Sequence, residues 1–207
     1  MLVLLDLGNV LYRIEFMRTI QALASLPGYN GIPINFGVDL QDDVFMQFDR
    51  GQITPADFYQ RLRDTYGLDA SDAQIRNAWN AILVEPFPFA LRVPQQLRSV
   101  HSSQSNLRVA ILSNISEPHL EHCKQQLPLL THPTLYGVDA LYFSCKLGMR
   151  KPDPQIFRTV CQLENVIPNQ AVLYDDSKAN VESARGLGLR AVCVTPGDAD
   201  LAFREPT

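Results

Sequence analysis

The chain has 207 residues, a hydrophobic fraction of 46% and a formal charge of −4. That is enough for one substantial domain, or one domain with an inserted module, and the composition is ordinary for a globular protein. Lysine and arginine fall singly rather than in a stripe and no apolar run approaches a membrane span, so neither a nucleic-acid partner nor a membrane partner is expected.

The first apolar run, "LVLL", stops at Asp6, with Gly8 and Asn9 close behind. It is too short for the apolar core of a signal peptide, so no secretory leader is expected. The four cysteines, Cys123, Cys145, Cys161 and Cys193, form neither a C-x-x-C pair nor a zinc-spaced cluster with histidine. They predict free thiols in a reducing, cytoplasmic setting. Cys193, inside the apolar "RAVCV", is expected to be a buried structural cysteine.

From Phe16 to Val84 the pattern is helical. "MRTIQALASL" predicts one helix, "PGYNGIPINFG" a loop, and "DLQDDVFMQFD", "TPADFYQRLRDTYG" and "SDAQIRNAWNAIL" three more helices. Thr54 before Pro55 reads as an N-cap with proline at the first helical position and Asp57 in the first turn; Ser71 starts the next helix similarly. No strand is expected here. Residues 16–84 read as a helical module inserted after the first strand, with "EPFPFA" as the return linker. Residues 1–15 and 85–207 then form the core.

The later apolar runs repeat the first in kind. "RVAIL" leads into Ser113 and Asn114, "ALYF" into Ser144, "AVLY" into Asp175 and Asp176, and "AVCV" into Thr195. Runs this short and uniformly apolar suit strands buried on both faces of a parallel sheet. "DPQIFRTVCQLENV" and "DSKANVESARGLG" carry apolar residues at helical spacing, and the final glycines close the second helix. The alternation predicts an α/β fold, a doubly wound (Rossmann-like) parallel sheet with an inserted all-helical cap.

In such sheets the ligand lies beyond the carboxyl ends of the strands. Those ends carry Asp6, the Ser113–Asn114 pair and the Asp175–Asp176 pair. Clustered carboxylates repel one another unless a cation or proton offsets them, and a small set of hard oxygen ligands with room for water suits Mg²⁺. Beside a hydroxyl, an amide and a lysine, such an ion suits a phosphoryl group. Lys151, before Pro152 at the start of a helix, is the natural lysine. Taken singly, Asp6, Ser113, Asn114 and the two aspartates each read first as caps or turn residues, and Lys151 as a surface lysine. Their joint placement after successive apolar runs is what favours a site.

The residues resemble the haloacid dehalogenase-like hydrolases, mostly Mg²⁺-dependent phosphatases, over nearly the whole chain. "LLDLGNVL" resembles the first motif of that family, "AILSN" the second, "KLGMRKPDPQIF" the third and "VLYDDSKANVESA" the fourth. Within the family, "DLGNV" and "LGMRKP" resemble the branch of bacterial α-D-glucose-1-phosphate phosphatases. The resemblance implies an aspartyl-phosphate on Asp6, with Lys151 rather than Lys146 as the catalytic lysine. It implies phosphate held by Ser113 and Asn114, and Mg²⁺ held by Asp6, the Gly8 carbonyl and Asp176, with Asp175 beside it. It also implies a small phosphorylated metabolite, such as a sugar phosphate, as substrate.

Gly8 departs from the family pattern, which places a second aspartate there to protonate the leaving oxygen. An acidic leaving group, or a cap residue such as Asp49 or Arg50 in "FDRGQ", could compensate; Arg50 is thus expected at the substrate. Two rivals are a 2-haloacid dehalogenase, which explains Gly8 but has no use for the paired aspartates, and a weakly active phospholigand-binding regulator, which gives no reason for Asp6.

Overall fold

Uniformly apolar, largely β-branched and leucine-rich runs bury both faces of a strand, and five of them form one parallel sheet. The computed structural model describes residues 1–37, 40–100 and 106–200, and the remaining positions of the ranges expected for core and cap lie outside the described residues. In chain order the first half comprises β1 (Leu2–Leu5), β2 (Tyr12–Ile14), α1 (Phe16–Ala24), α2 (Asp43–Asp49), α3 (Pro55–Tyr66), α4 (Asp72–Asn80) and β3 (Leu83–Pro86). The second half comprises α5 (Val93–Val100), β4 (Arg108–Ser113), α6 (Glu117–Gln126), β5 (Ala140–Phe143), α7 (Ser144–Leu147), α8 (Pro154–Leu163), β6 (Ala171–Asp175), α9 (Lys178–Leu187) and β7 (Arg190–Cys193).

The sheet order is β5-β4-β1-β6-β7, with every pairing parallel. The central strand β1 is wholly buried. Its side chains alternate between two cores: Val3 and Leu5 join Val109, Ile111, Val172 and Tyr174 on one face, and Leu2 and Leu4 join Ala110, Leu112, Leu173 and Phe157 on the other. Leu5 pairs with Ile111 on one side and Tyr174 on the other. This register brings Asp6, Ser113 and Asp175 out at the same edge. Cys193 differs from expectation. It is exposed, because β7 is an edge strand and only Ala191 and Val192 turn into the core.

The helices after β1 pack on a separate aromatic core. Trp79 is fully buried at its centre, stacked on Phe45 at 5.5 Å and edge-on to Phe58 at 4.9 Å. The predicted caps are present: Thr54 Oγ1 accepts from the Asp57 N–H at 3.1 Å, and Ser71 with Gln74 forms a capping box. One element was not expected. Leu83 and Val84 begin β3, which pairs antiparallel with β2 as a two-stranded ribbon where the chain leaves and re-enters the sheet. Strands of three and four residues, the second ending in Glu-Pro, carry too short an alternation to register in a sequence.

Two contacts tie the helices to the sheet. Trp79 Nε1 donates to Ser116 Oγ at 2.9 Å. At the end of α2, Ser144 Oγ donates to the Asp49 carbonyl at 2.5 Å, and Gly51 adopts φ +66° directly against α7. A Cβ at Gly51 would overlap the Cys145 carbonyl oxygen. Gly51→Ala therefore meets both a left-handed backbone and a backbone clash. It should lower the unfolding free energy by about 2 kcal/mol or more, read from urea denaturation.

Candidate active site

Lys151 organises the site. It is 1% exposed, although lysine is almost never fully buried unless paired. Its Nζ lies 2.5 Å from Asp175 Oδ2 and 3.0 Å from Asp6 Oδ1, and it donates to the Leu112 carbonyl at 2.9 Å. Burial opposes the ammonium charge, but Asp175 and Asp6 outweigh it and hold the group above its ordinary value. Asn114 positions Lys151 through its main chain. The Asn114 Nδ2 donates to the Lys151 carbonyl at 2.8 Å, and the Lys151 N–H donates to Asn114 Oδ1 at 2.9 Å.

The three aspartates of the strand ends come together as expected. Asp6, Asp175 and Asp176 each offer a carboxylate oxygen, all within 4.8 Å of one another. Their surroundings divide them. Asp175 is fully buried and spent: Oδ1 accepts from the Ser177 N–H at 2.9 Å and Asn180 Nδ2 at 2.8 Å, and Oδ2 takes Lys151. Asp175 had been counted with the metal set, beside Asp176; it does not line the cavity, and its place is behind Lys151. Asp6, Gly8 and Asp176 do line the cavity. Asp176 Oδ2 accepts from Asn9 Nδ2 at 2.9 Å, and Asn9 reaches it from a left-handed turn at φ +55°.

Burial pushes the Asp6 carboxyl up to about 7; Lys151 opposes the rise, and Asp175 and Asp176 add to it. Burial likewise raises Asp176, against the Asn9 hydrogen bond. Three clustered carboxyls share one ammonium, so ionising all of them leaves negative charge that Lys151 does not cancel. All the donors are hard oxygens, so the set fits Mg²⁺.

Ser113 ends β4 and, with Asn114, lines the same cavity. Gly8 is not in the left-handed region, so its backbone does not demand glycine. A Cβ there would meet Ile14 Cδ1 at 3.0 Å, the tip of a side chain that can turn.

On the cap side the expectation of Arg50 is corrected. Arg50 follows α2 as its C-cap and is not among the cavity's lining residues, whereas Asp49 and Arg150 are. Arg150 Nη2 lies 3.7 Å from Asp49 Oδ2. Burial raises Asp49 to about 6, partly offset by Arg150. Arg150 stands beside Lys151 in "LGMRKP", and that adjacency was its signal in the sequence. His119 on α6 also lines the cavity and had no signal. Burial lowers it to about 4, so it is a neutral ring, stacked on Trp79 at 4.5 Å with Nε2 on the Trp79 carbonyl at 3.0 Å.

With the geometry in view, the comparisons are consistent. The family model for haloacid dehalogenase-like hydrolases matches residues 1–188. A HAD family enzyme of Bacteroides thetaiotaomicron, solved with magnesium and inorganic phosphate, superposes with TM-score 0.83 at 30% identity, covering 99% of this chain and 98% of that one. The D-ribitol-5-phosphate phosphatase of the same bacterium is 25% identical over 187 residues, covering 90% of this chain and 87% of the relative. The drimenol cyclase drtB of Aspergillus calidoustus is 30% identical over 194 residues, 91% of this chain. This chain spans only 33% of that relative's length.

A carboxyl raised in the fold keeps its proton to higher pH than in the unfolded chain. Below about pH 7 a cation entering at Asp6 must displace that proton, and above it need not. Mg²⁺ should therefore raise Tm more at pH 8 than at pH 6, measured by calorimetry. In Asp176→Asn most of that rise should be lost at both pH values.

Proposed function

The chain belongs to the haloacid dehalogenase-like hydrolases, and we propose that it is a Mg²⁺-dependent phosphatase working through an aspartyl-phosphate on Asp6. The observation that carries this reading is Lys151 bridging Asp6 and Asp175, with Asp176 beside them at the mouth of one cavity. The magnesium and phosphate held by the Bacteroides thetaiotaomicron enzyme support it. Asp6, the Gly8 carbonyl and Asp176 would hold the ion. When bound, Mg²⁺ supplies the positive charge that offsets the phosphoryl oxygens and the carboxylate approaching them. In this reading the helices of residues 16–84 act as the cap over the site.

The protein groups then take defined parts. Asp6 Oδ1 accepts from the Leu7 N–H at 2.7 Å and faces Lys151, which fixes the carboxylate. The other oxygen attacks phosphorus, the ester P–O bond breaks, and the departing oxygen takes up a proton. Water then attacks the phosphorus of the aspartyl-phosphate, releasing inorganic phosphate and restoring Asp6. Lys151 and Ser113 steady the phosphoryl oxygens through both steps. The substrate class is a small phosphorylated metabolite. The D-ribitol-5-phosphate phosphatase and the motif resemblance both support sugar phosphates as first substrates to assay. Displacement of halide from carbon remains the weaker reading, because it gives the clustered carboxylates no partner beyond Lys151.

Asp6→Asn should abolish turnover with the fold intact, since Asp6 ends its strand at the site, and EDTA should silence the parent enzyme. Retention of near-parental activity by either route would refute the mechanism. Because no side chain at position 8 can protonate the leaving oxygen, kcat/KM should fall steeply as the leaving group becomes more basic. Gly8→Asp should raise kcat/KM on simple alkyl phosphates by up to about 10²-fold, because Ile14 rather than the backbone is what must yield. A flat dependence on leaving-group pKa in the parent would show that another residue already supplies the proton.

A further inference from the structure

The cavity that opens at Asp6 is larger than a phosphoryl group requires. Its volume is about 210 Å³, against roughly 30 Å³ for the share of one water molecule in the liquid. The space beyond the phosphate end takes a leaving group, and its walls show what kind. Ile14 of β2, Phe16 at the start of α1, Phe36, Ile82, Leu83 of β3 and Ile115 after β4 all line it. Phe16 and Phe36 meet edge-on at 5.1 Å. The apolar wall reaches Gly8, two residues from Asp6: a Cβ at position 8 would lie 3.0 Å from Ile14 Cδ1.

Three of the polar groups around that wall, on Asp49, Tyr12 and His119, are already engaged. Asp49 is hydrogen-bonded to Gln41 and faces Arg150. The Tyr12 hydroxyl donates to Gln126 Oε1 at 2.6 Å. His119 Nε2 is on the Trp79 carbonyl. Arg150 Nε is buried with no hydrogen-bond partner among the described residues. Its Nη2 lies 3.7 Å from Asp49 Oδ2, and Nε is the donor left open to a polar atom of the ligand. A polyhydroxylated leaving group would bring most of its hydroxyls against hydrocarbon, where they lose water and gain few partners. A hydrocarbon gains by burial there.

Resting on the phosphatase reading of Asp6, we infer that, among phosphate monoesters of comparable leaving-group basicity, the preferred substrate carries a hydrocarbon leaving group, alkyl, isoprenoid or aromatic, rather than a sugar. This narrows the substrate class away from the sugar phosphates that the motif resemblance suggests. The phosphoryl end is common to both classes. The discrimination comes from the ribbon of β2 and β3 and from the two phenylalanines beside it.

The test compares kcat/KM in Mg²⁺ for n-hexyl phosphate, geranyl phosphate, D-ribitol 5-phosphate and acetyl phosphate. Hexyl and ribitol 5-phosphates both release a primary alcohol, so their ratio reads the wall rather than a difference in leaving-group class. Hexyl and geranyl phosphates should exceed ribitol 5-phosphate by about 10²-fold or more. Ile14→Asn and Phe16→Ser should each lower the hexyl-to-ribitol ratio about 10-fold. An equal or inverted ratio in the parent overturns the inference, and so does a ratio unmoved in folded variants. Loss of all turnover, acetyl phosphate included, would instead overturn the phosphatase reading. Titration calorimetry of the Mg²⁺-loaded parent with hexyl phosphate and with ribitol 5-phosphate then decides the wall alone. Tighter hexyl binding sustains the inference, and equal or weaker binding overturns it.

Discussion

The ammonium of Lys151, sealed between Asp6 and Asp175, is the interaction on which the site depends. Three carboxylates within 4.8 Å of one another cannot all be ionised in a buried place without a compensating cation. Lysine supplies one charge to three carboxyls, and burial, with the neighbouring carboxylates adding to it, raises Asp6 and Asp176. The charge left uncancelled is what gives the site its appetite for a further cation and, through it, for a phosphoryl group. Asp175 takes no direct part in this. It fixes the lysine and is itself fixed by Ser177 and Asn180 at the head of α9. Two neighbouring aspartates thus do different work because one points into the core and the other into the cavity.

The sheet makes this arrangement possible at little conformational cost. Parallel pairing of β1 with β4 and β6 sets three chain ends side by side, and the side-chain alternation of each strand is spent on two apolar cores. The site residues lie just beyond those cores, where the backbone turns away and no packing partner competes for their polar atoms. Asn114 shows the same economy. Its amide locks the Lys151 backbone from two sides, so the segment carrying the lysine is held independently of the ion pair.

The helical insertion is anchored through aromatic packing, with the Arg150–Asp49 ion pair beside it. Trp79 stacks within its own core and on His119 of α6, and its indole N–H reaches Ser116. His119 stays neutral because it is buried against that indole, so it adds a flat, uncharged wall to the cavity rather than a titrating group. The ribbon of β2 and β3 carries the connection between the two bodies of structure and lines the cavity with Ile14 and Leu83. The path by which the chain leaves the sheet is therefore also a wall of the site.

The sequence by itself determined the α/β class, the strands that make the sheet and the carboxylates at their ends. These are local properties: a short apolar run announces a buried strand, and the polar residue that breaks it announces the ligand edge. The helix starts at Thr54 and Ser71 were legible for the same reason, since a cap is a contact between residues three apart. Only the tertiary structure decided which of the paired aspartates is spent on Lys151, that Arg150 rather than Arg50 reaches the cavity, and that Cys193 is exposed on an edge strand. It also decided that β2 and β3 pair, and that Ile14 stands over Gly8. Each of these depends on the direction of a side chain relative to a distant segment. Direction is set by register and packing across the fold, which the order of residues along the chain does not specify.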